Sequence, residues 1–170
     1  MPVLLALAWH GAVELFVVGF ALGLVSDVLD GALARWLGQE TDFGAGLDQW
    51  ADFALWVSLP LAGWWLWPEI IAREAIYVLV ALVCMLLPTA IAYRKYRKVP
   101  GYHTWSVKLG SVGMGISVPL LLLFDVAWPF RVAALFQAVC AIDELGITCL
   151  LAECRHDVPS VIHALRLRRQ

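Results

Sequence analysis

The sequence predicts an all-α integral membrane protein, and three observations support this fold class. Of the 170 residues, 62% are hydrophobic and 15% are charged, whereas soluble domains average roughly 45–50% apolar and about 25% charged residues. The mean hydropathy is +0.79. The chain also carries nine tryptophans, and Trp67, Trp105 and Trp128 stand beside the ends of apolar segments, as in the aromatic belts at membrane interfaces. This composition leaves no room for a soluble second domain.

Apolar runs and the breaks between them divide the chain into helices. A spanning helix needs about 20 residues, so residues 2–9 are too short to cross a membrane. The longer predicted helices cover residues 12–36, 44–67, 69–92, 105–127 and 129–152, with a short loop at 37–43 and a basic loop at 93–104. Residues 1–152 then form a transmembrane domain. Residues 153–170 form a basic tail with room for a short surface helix.

The strongest functional signal is the stretch 27–52, which holds four aspartates in a largely apolar chain. Asp27 and Asp30 are three residues apart and Asp48 and Asp52 are four apart, so on helices each pair lies on one face. Two such faces, opposed across a short loop, bring four carboxylates together. Such charges cost several kcal/mol each in a membrane-like setting. Coordination of hard divalent cations by carboxylate oxygens compensates for that cost.

Small and basic residues are interleaved with these acids. Gly31 follows Asp30 directly and Ala34 stands one turn further on, and small residues there let a ligand approach the backbone closely. The planar guanidinium of Arg35 suits phosphate, although an anchor at the membrane surface is its alternative role. Two salt-bridged helix ends are the plain alternative for the whole stretch, but one arginine cannot neutralise four carboxylates.

Written out, the spacing is Asp27-x2-Asp30-Gly31-x2-Ala34-Arg35-x8-Gly44-x3-Asp48-x3-Asp52. At every fixed position it resembles the signature of the class I CDP-alcohol phosphatidyltransferase family. The resemblance implies a six-helix transmembrane bundle that forms a homodimer. It also implies the transfer of a phosphatidyl or related group from a CDP-linked lipid to an alcohol, with release of CMP and with two divalent ions, Mg²⁺ or Mn²⁺.

The resemblance also implies roles for the motif residues. The metal ligands that it implies are Asp27, Asp30, Asp48 and Asp52. The residues that it implies around the CDP moiety are Gly31, Ala34, Arg35 and Gly44. Asp52 is similar to the acid proposed as general base in the family. Because a nearby cation favours the charged carboxylate, we expect Asp52 to be a weak base that acts mostly by positioning.

The family pattern has six spans and a further helix ahead of the first. Here only 26 residues precede Asp27, and the run from Pro2 looks like the second half of a first helix. We therefore expect an N-terminally shortened bundle of about five full spans plus a half-span, roughly one and a half helices short of the family pattern.

The placement of lysine and arginine predicts the orientation. The basic residues on the side of the motif loop are Arg35, Arg94, Lys95, Arg97, Lys98, Lys108, Arg155, Arg166, Arg168 and Arg169. Arg73 and Arg131 fall on the opposite side. The positive-inside rule then places the motif on the cytoplasmic face of a bacterial-type plasma membrane, where nucleotide substrates are found.

A cluster of basic and polar residues between positions 94 and 108 could bind a phosphorylated acceptor alcohol. Lys108, just inside a predicted span, is the strongest candidate for binding the acceptor phosphate, and Arg94 is the second candidate. A lysine at such a position could instead extend its side chain to the membrane interface. The run 94–98 as a whole is more typical of a topology or anionic-lipid anchor. Glycerol 3-phosphate is the first candidate acceptor, and inositol phosphate or another alcohol stays open. The alternative class is a non-catalytic divalent-cation-binding membrane protein or transporter, which predicts acids spread through the membrane depth.

Charged residues outside the motif also predict contacts. Asp143 and Glu144 stand inside the last span, where ionisable groups indicate a functional role. The alternative is a structural one, with a partner such as His10 or Glu14 on a neighbouring helix, or a shared proton. Arg73 and Glu74 are adjacent near a span end, and we expect an interfacial pair.

Small residues indicate where helices approach one another. On the fifth predicted helix, Gly110, Gly113 and Gly115 favour close helix packing, with a lipid groove as the alternative. The residues that we expect at a homodimer contact are Gly63, Ala72, Ala75 and Ala81, and packing within one chain is their alternative.

Overall fold

The computed structural model describes residues 1–37, 42–97, 104–151 and 160–168. Within those ranges, the side chains of residues 24, 27–28, 30–35, 37, 42–50, 52 and 166–168 lie outside the described part. The described ranges are helical, with no strand among them. The helices are α1 Pro2–Trp9, α2 Val13–Leu37, α3 Asp42–Leu66, α4 Pro68–Arg73, α5 Ala75–Tyr96, α6 Trp105–Phe124, α7 Ala127–Leu150 and α8 Val161–Arg168. The all-α prediction is confirmed.

Three predicted helix boundaries were wrong. The helix predicted to end at residue 92 continues to Tyr96, so residues 93–96 are helical and not part of a loop. The single helix predicted over 69–92 is broken at Glu74, which separates α4 from α5. The break predicted near Trp128 and Pro129 falls earlier, because Asp125 adopts a left-handed backbone conformation with φ 55° and ends α6. Pro129 then stands in the first turn of α7, where the missing N–H of proline has no intrahelical partner to lose.

Among the described residues, three helices are long and apolar enough to cross a membrane. α5, α6 and α7 have 22, 20 and 24 residues, with mean hydropathies of 2.5, 1.8 and 1.6 over their most apolar parts. Shorter apolar stretches, Val13–Gly23 and Phe53–Leu66, lie within α2 and α3. The polar motif residues occupy the remaining part of each of these two helices.

Residues Met1–Ile71 form one compact unit, in which α1 packs against α2 and α3. Gly19 permits the contact between α1 and α2, because a Cβ atom added to Gly19 would lie only 2.9 Å from Leu4 Cδ2 of α1. Aromatic rings add to the packing: Trp9 meets Trp65 edge to face at 5.0 Å between ring centroids. Close contacts with α2 and α3 therefore stabilise α1, which is a short helix.

Residues Ala72–Gln170 form a second unit, in which α7 contacts α5, α6 and α8. The glycine prediction is confirmed at Gly110, where an added Cβ would lie 2.8 Å from Gln137 Oε1 and 2.9 Å from Cys140 Sγ. A Cβ added to Gly113 would lie 3.8 Å from the Cβ of Ala133, whereas one added to Gly115 would have no neighbour within 4 Å. Two of the three glycines therefore lie at the α6–α7 contact.

The small residues expected at a dimer contact divide into two groups. Gly63 is packed within its own unit, since an added Cβ would lie 2.9 Å from Ile71 Cδ1, and Ala81 is buried. Ala72 and Ala75 are exposed. Packing within one chain, the alternative reading, therefore holds for the first two residues.

Candidate active site

The motif occupies the end of one helix and the beginning of the next. Asp27, Asp30, Gly31, Ala34 and Arg35 stand in the C-terminal half of α2, and Gly44, Asp48 and Asp52 stand in the N-terminal half of α3. Because both helices continue without interruption through these positions, each pair of aspartates lies on one helix face, about one turn apart. Their side chains lie outside the described part of the structure, so the metal-ligand and CDP-binding roles stay predictions.

The donor set suits a hard divalent cation. Carboxylates supply the oxygen ligands that Mg²⁺ and Mn²⁺ prefer, and in each helix the two aspartates stand on consecutive turns of the backbone. Elsewhere, no three His, Cys, Asp or Glu side chains that the structure describes group together as a metal site. The motif aspartates are therefore the residues that fit the implied ions by their chemistry.

The two candidates for the acceptor phosphate are both exposed to their surroundings. Lys108 is in the first turn of α6, and its Nζ lies 5.3 Å from the ring centroid of Trp105, within the range of a cation–π contact. Arg94 is exposed near the C-terminal end of α5. Their positions at helix ends suit both a phosphate contact and an interfacial anchor, so the two interpretations stay open.

Lys95 has a different role from the lipid or topology anchor predicted for residues 94–98. Its Nζ donates to the carbonyl oxygens of Thr148 and Leu151 at 2.6 and 2.7 Å. The hydroxyl of Tyr96 lies 3.0 and 2.9 Å from the same two oxygens and donates to them. The last carbonyls of a helix have no intrahelical partner. The end of α5 therefore caps the end of α7, a contact that the sequence analysis missed.

Polar groups at the beginning of α6 are linked to α7. Thr104 is the N-cap, and its Oγ1 accepts a hydrogen bond from the Val107 N–H at 3.2 Å, which stabilises the first turn. Ser106 Oγ lies 2.8 Å from Thr104 Oγ1 and donates to Asp143 Oδ2 at 2.7 Å. Cys140 Sγ is 3.2 Å from the Ser106 carbonyl oxygen. Lys108 therefore stands on a helix end whose first turn is fixed.

Asp143 has a partner on a neighbouring helix, as predicted, but the residue is one that the sequence did not suggest. Its carboxylate accepts hydrogen bonds from Ser106 of α6 and from the backbone N–H of Val161, the latter at 3.0 Å to Oδ1. A serine and a helix N-terminus give no charge pattern that sequence reasoning could recognise.

The predicted pair of Arg73 and Glu74 is confirmed, with Nε 3.1 Å from Oε1, and it belongs to a larger cluster. Glu74 is fully buried and also accepts from Arg131 Nε at 2.8 Å and Nη2 at 2.7 Å. The same Arg73 pairs with Asp125, with Nη1 3.2 Å from Oδ2. Two arginines and two acids thus form a neutral cluster that connects the α4–α5 junction, the α6–α7 turn and α7.

Electrostatics in this cluster favour the charged forms. Hydrogen bonds from Arg131, then from Arg73, lower the pKa of the Glu74 carboxyl below its usual value, although burial opposes the shift. The Arg73 guanidinium likewise lowers the pKa of Asp125, and the acids raise the pKa of Arg73. Because both arginines on this side are already paired with carboxylates, neither is a free site for phosphate.

Comparisons with known proteins agree with the motif. The sequence profile of the CDP-alcohol phosphatidyltransferase family matches residues 1–142. A cardiolipin synthase (CMP-forming) from Streptomyces coelicolor is 36% identical over 117 residues, which are 68% of this chain and 54% of that protein. The chain thus spans about half the length of that relative. No solved structure matches the chain. With the profile covering most of the sequence and the motif complete at every fixed position, the chain belongs to the CDP-alcohol phosphatidyltransferase family.

Proposed function

We propose that this chain catalyses phospholipid head-group synthesis, transferring a phosphatidyl group from a CDP-linked lipid to an alcohol with release of CMP. The single observation that carries the proposal is the complete motif, divided between the end of α2 and the beginning of α3. Family membership supports it. The similar Streptomyces coelicolor protein, a CMP-forming cardiolipin synthase, supports the same class of reaction.

The reaction is a displacement at phosphorus. The hydroxyl oxygen of the acceptor forms a bond to the phosphorus of the phosphatidyl group, the bond from that phosphorus to the bridging oxygen breaks, and CMP leaves with the electron pair. The hydroxyl proton passes to a base. Divalent ions at such a site would neutralise the diphosphate oxygens and polarise the phosphorus.

The motif residues divide this work. We assign metal binding to the four aspartates, because among the side chains of the motif residues only these carboxylates supply oxygen ligands for a hard cation. Asp52, the last of them, would orient the acceptor hydroxyl and take its proton. Gly31, Ala34 and Gly44 lack bulky side chains, so the CDP moiety can lie against the helix backbone. Arg35 would bind a phosphate oxygen.

The acceptor that we propose carries a glycerol phosphate group. Lys108 and Arg94, exposed at helix ends, are cations that can bind its phosphate. Free glycerol 3-phosphate is one acceptor with such a group. Phosphatidylglycerol, in which the group is attached to a lipid, is the other, and the similarity to a cardiolipin synthase favours it. Inositol phosphate would use the same cations but a different hydroxyl geometry.

We further propose that the motif faces the cytoplasm and that the chain forms a homodimer. The orientation rests on the excess of lysine and arginine on the motif side. Of the small residues considered for the contact, Ala72 and Ala75 are exposed and available. Single cysteines along residues 68–79, in a background without the native cysteines, should crosslink with helical periodicity, and a protein that is fully active as a monomer would contradict the dimer.

The test of the proposed function is CMP release. Purified protein in lipid nanodiscs is incubated with CDP-diacylglycerol, Mg²⁺ and one acceptor: glycerol 3-phosphate, phosphatidylglycerol or inositol phosphate. We expect acceptor-dependent CMP release and a new phospholipid, largest with a glycerol phosphate acceptor. Asp48→Asn should abolish it, whereas Glu69→Gln, which removes an exposed acid outside the motif, should not. A folded protein that releases no CMP with any acceptor, but binds or conducts divalent cations, would support the transporter alternative instead.

A further inference from the structure

The C-terminal helix α8 is fixed to the membrane-spanning helices by a partly buried polar contact. Asp143 of α7 accepts a hydrogen bond from the Val161 N–H, in the first turn of α8, at 3.0 Å. The other carboxylate oxygen of Asp143 is held by Ser106 of α6 at 2.7 Å. The N-terminal N–H groups of a helix need acceptors, and a carboxylate there also complements the helix dipole. The beginning of α8 is therefore tied to both α6 and α7.

Apolar packing fixes the same helix over its length. Gly146 of α7 lets Val161 approach so closely that an added Cβ would lie 2.6 Å from Val161 Cγ2. Ala164, one turn further on, is fully buried with Ile147 and Leu151. One face of α8 is thus closed against the end of α7.

This attachment places α8 at a definite depth. Asp143 precedes the end of α7 at Leu150 by seven residues, which is about 10 Å along the helix axis at ~1.5 Å per residue. A 24-residue helix is about 36 Å long, slightly more than the roughly 30 Å hydrocarbon core of a bilayer. With α7 centred in the bilayer, about 3 Å of each end lies outside the hydrocarbon, so the level of Asp143 and of the first turn of α8 is roughly 7 Å inside its edge. Because Ala164 packs with Ile147 and Leu151 at the end of α7, α8 runs from this level towards the head groups.

Beside this closed face, α8 has an exposed apolar side. Ile162 is 63% exposed and Leu165 is 43% exposed, and three residues apart on a helix they share one side. Three cations follow in the sequence, Arg166 and Arg168 within α8 and Arg169 directly after it, and their side chains lie outside the described part of the structure. Apolar residues near the edge of the hydrocarbon, followed by cations, fit a leaflet with anionic head groups better than water or an apolar protein surface.

We propose that α8 is an interfacial helix that inserts Ile162 and Leu165 into the leaflet while its arginines bind anionic phospholipid head groups. The occupant of this face is the lipid surface itself. The proposal concerns membrane attachment of the tail and does not depend on phosphatidyl transfer. It makes the position of α7, and through Ser106 the beginning of α6, sensitive to the anionic lipid content of the membrane.

Spin labels test the depth of this face. Single cysteines at 162, 165 and 142 are introduced into the full-length chain, in a background with the native cysteines replaced, and each carries a nitroxide. Ile142 is 70% exposed within α7 and is the reference for lipid contact. Each protein is placed in nanodiscs of phosphatidylcholine, with or without phosphatidylglycerol, and label accessibility to oxygen and to a water-soluble nickel chelate is measured.

In discs with phosphatidylglycerol, we expect the labels at 162 and 165 to show high oxygen and low nickel accessibility, close to the label at 142. Removing phosphatidylglycerol should raise nickel accessibility at 162 and 165 but not at 142. Replacing the three arginines by glutamine should abolish this lipid dependence. High nickel accessibility at 162 and 165 in both lipids would refute insertion, and equally low accessibility in both would refute the role of anionic head groups.

A label-free measurement covers variants that fold poorly. Hydrogen exchange of the unmodified chain, followed over the α8 peptide, should slow when phosphatidylglycerol is added to the disc. The α5 peptide is the internal control, and its exchange should stay the same. Unchanged exchange in α8 would contradict the proposal.

Discussion

Glu74 is the residue whose replacement should reveal most about the stability of the second unit. It is fully buried and accepts three hydrogen bonds from arginines, at 2.7, 2.8 and 3.1 Å. Glu74→Gln keeps the shape but removes the charge, and its amide NH₂ faces guanidinium donors. Breaking a buried ion pair from one side costs about 3–5 kcal/mol when the remaining charge stays buried.

Here the remaining charges are not buried, so the cost must be smaller. The side chains of Arg73 and Arg131 are 46% and 44% exposed and can recover water, Arg73 keeps Asp125, and the glutamine oxygen can still accept one hydrogen bond. We therefore expect about 2 kcal/mol, near the value of one hydrogen bond to a charged group. For a protein of this size that loss corresponds to a Tm lower by about 4–8 °C.

The pH dependence follows from the direction of the shift. The pKa of Glu74 is lowered in the folded protein, first by Arg131, so its contribution to stability is complete above the ordinary glutamate pKa of about 4.3. It is lost as the pH falls below that value towards the folded pKa. The Tm difference between wild type and Glu74→Gln should therefore be full at pH 7 and shrink in acid.

The assay is thermal unfolding in detergent, followed by circular dichroism at neutral and acid pH. Glu69→Gln is the matched control, because it removes the same charge from an exposed site on α4, and its Tm should stay close to wild type. If Glu74→Gln unfolds at the wild-type temperature at pH 7, or if its deficit persists unchanged in acid, the ion cluster does not stabilise the fold as argued.

Three further predictions concern the site and the packing around it. Asp30→Asn should abolish CMP release while the protein stays folded, and EDTA should inhibit the wild type reversibly, because an amide cannot restore a lost carboxylate ligand; full activity without metal would refute the metal site. Lys108→Ala should raise the KM for the acceptor far more than the KM for CDP-lipid, and equal effects on both would favour the interfacial role. Gly110→Leu should lower the Tm by separating α6 from α7 at Gln137 and Cys140, whereas Gly115→Leu, with open space around it, should have little effect.

Much of the fold could be predicted because it depends on local patterns. Long apolar runs indicated α5, α6 and α7 and the helical segments on either side of the motif loop, since a membrane requires each span to satisfy its own backbone hydrogen bonds. The motif could be recognised for a related reason. Its acids stand at helical spacing within two consecutive helices, so their grouping is visible without knowledge of distant contacts.

The tertiary structure decided the contacts between residues far apart in the chain. Glu74 interrupts a predicted helix, and its carboxylate is bound by Arg131, 57 positions away. Lys95 turns to the end of α7, 56 positions away at Leu151, rather than serving as the predicted anchor. Asp143 finds the first N–H of α8. An apolar segment fixes its own helix, but which polar groups meet at helix ends depends on how the helices pack, and hydropathy carries no record of that packing.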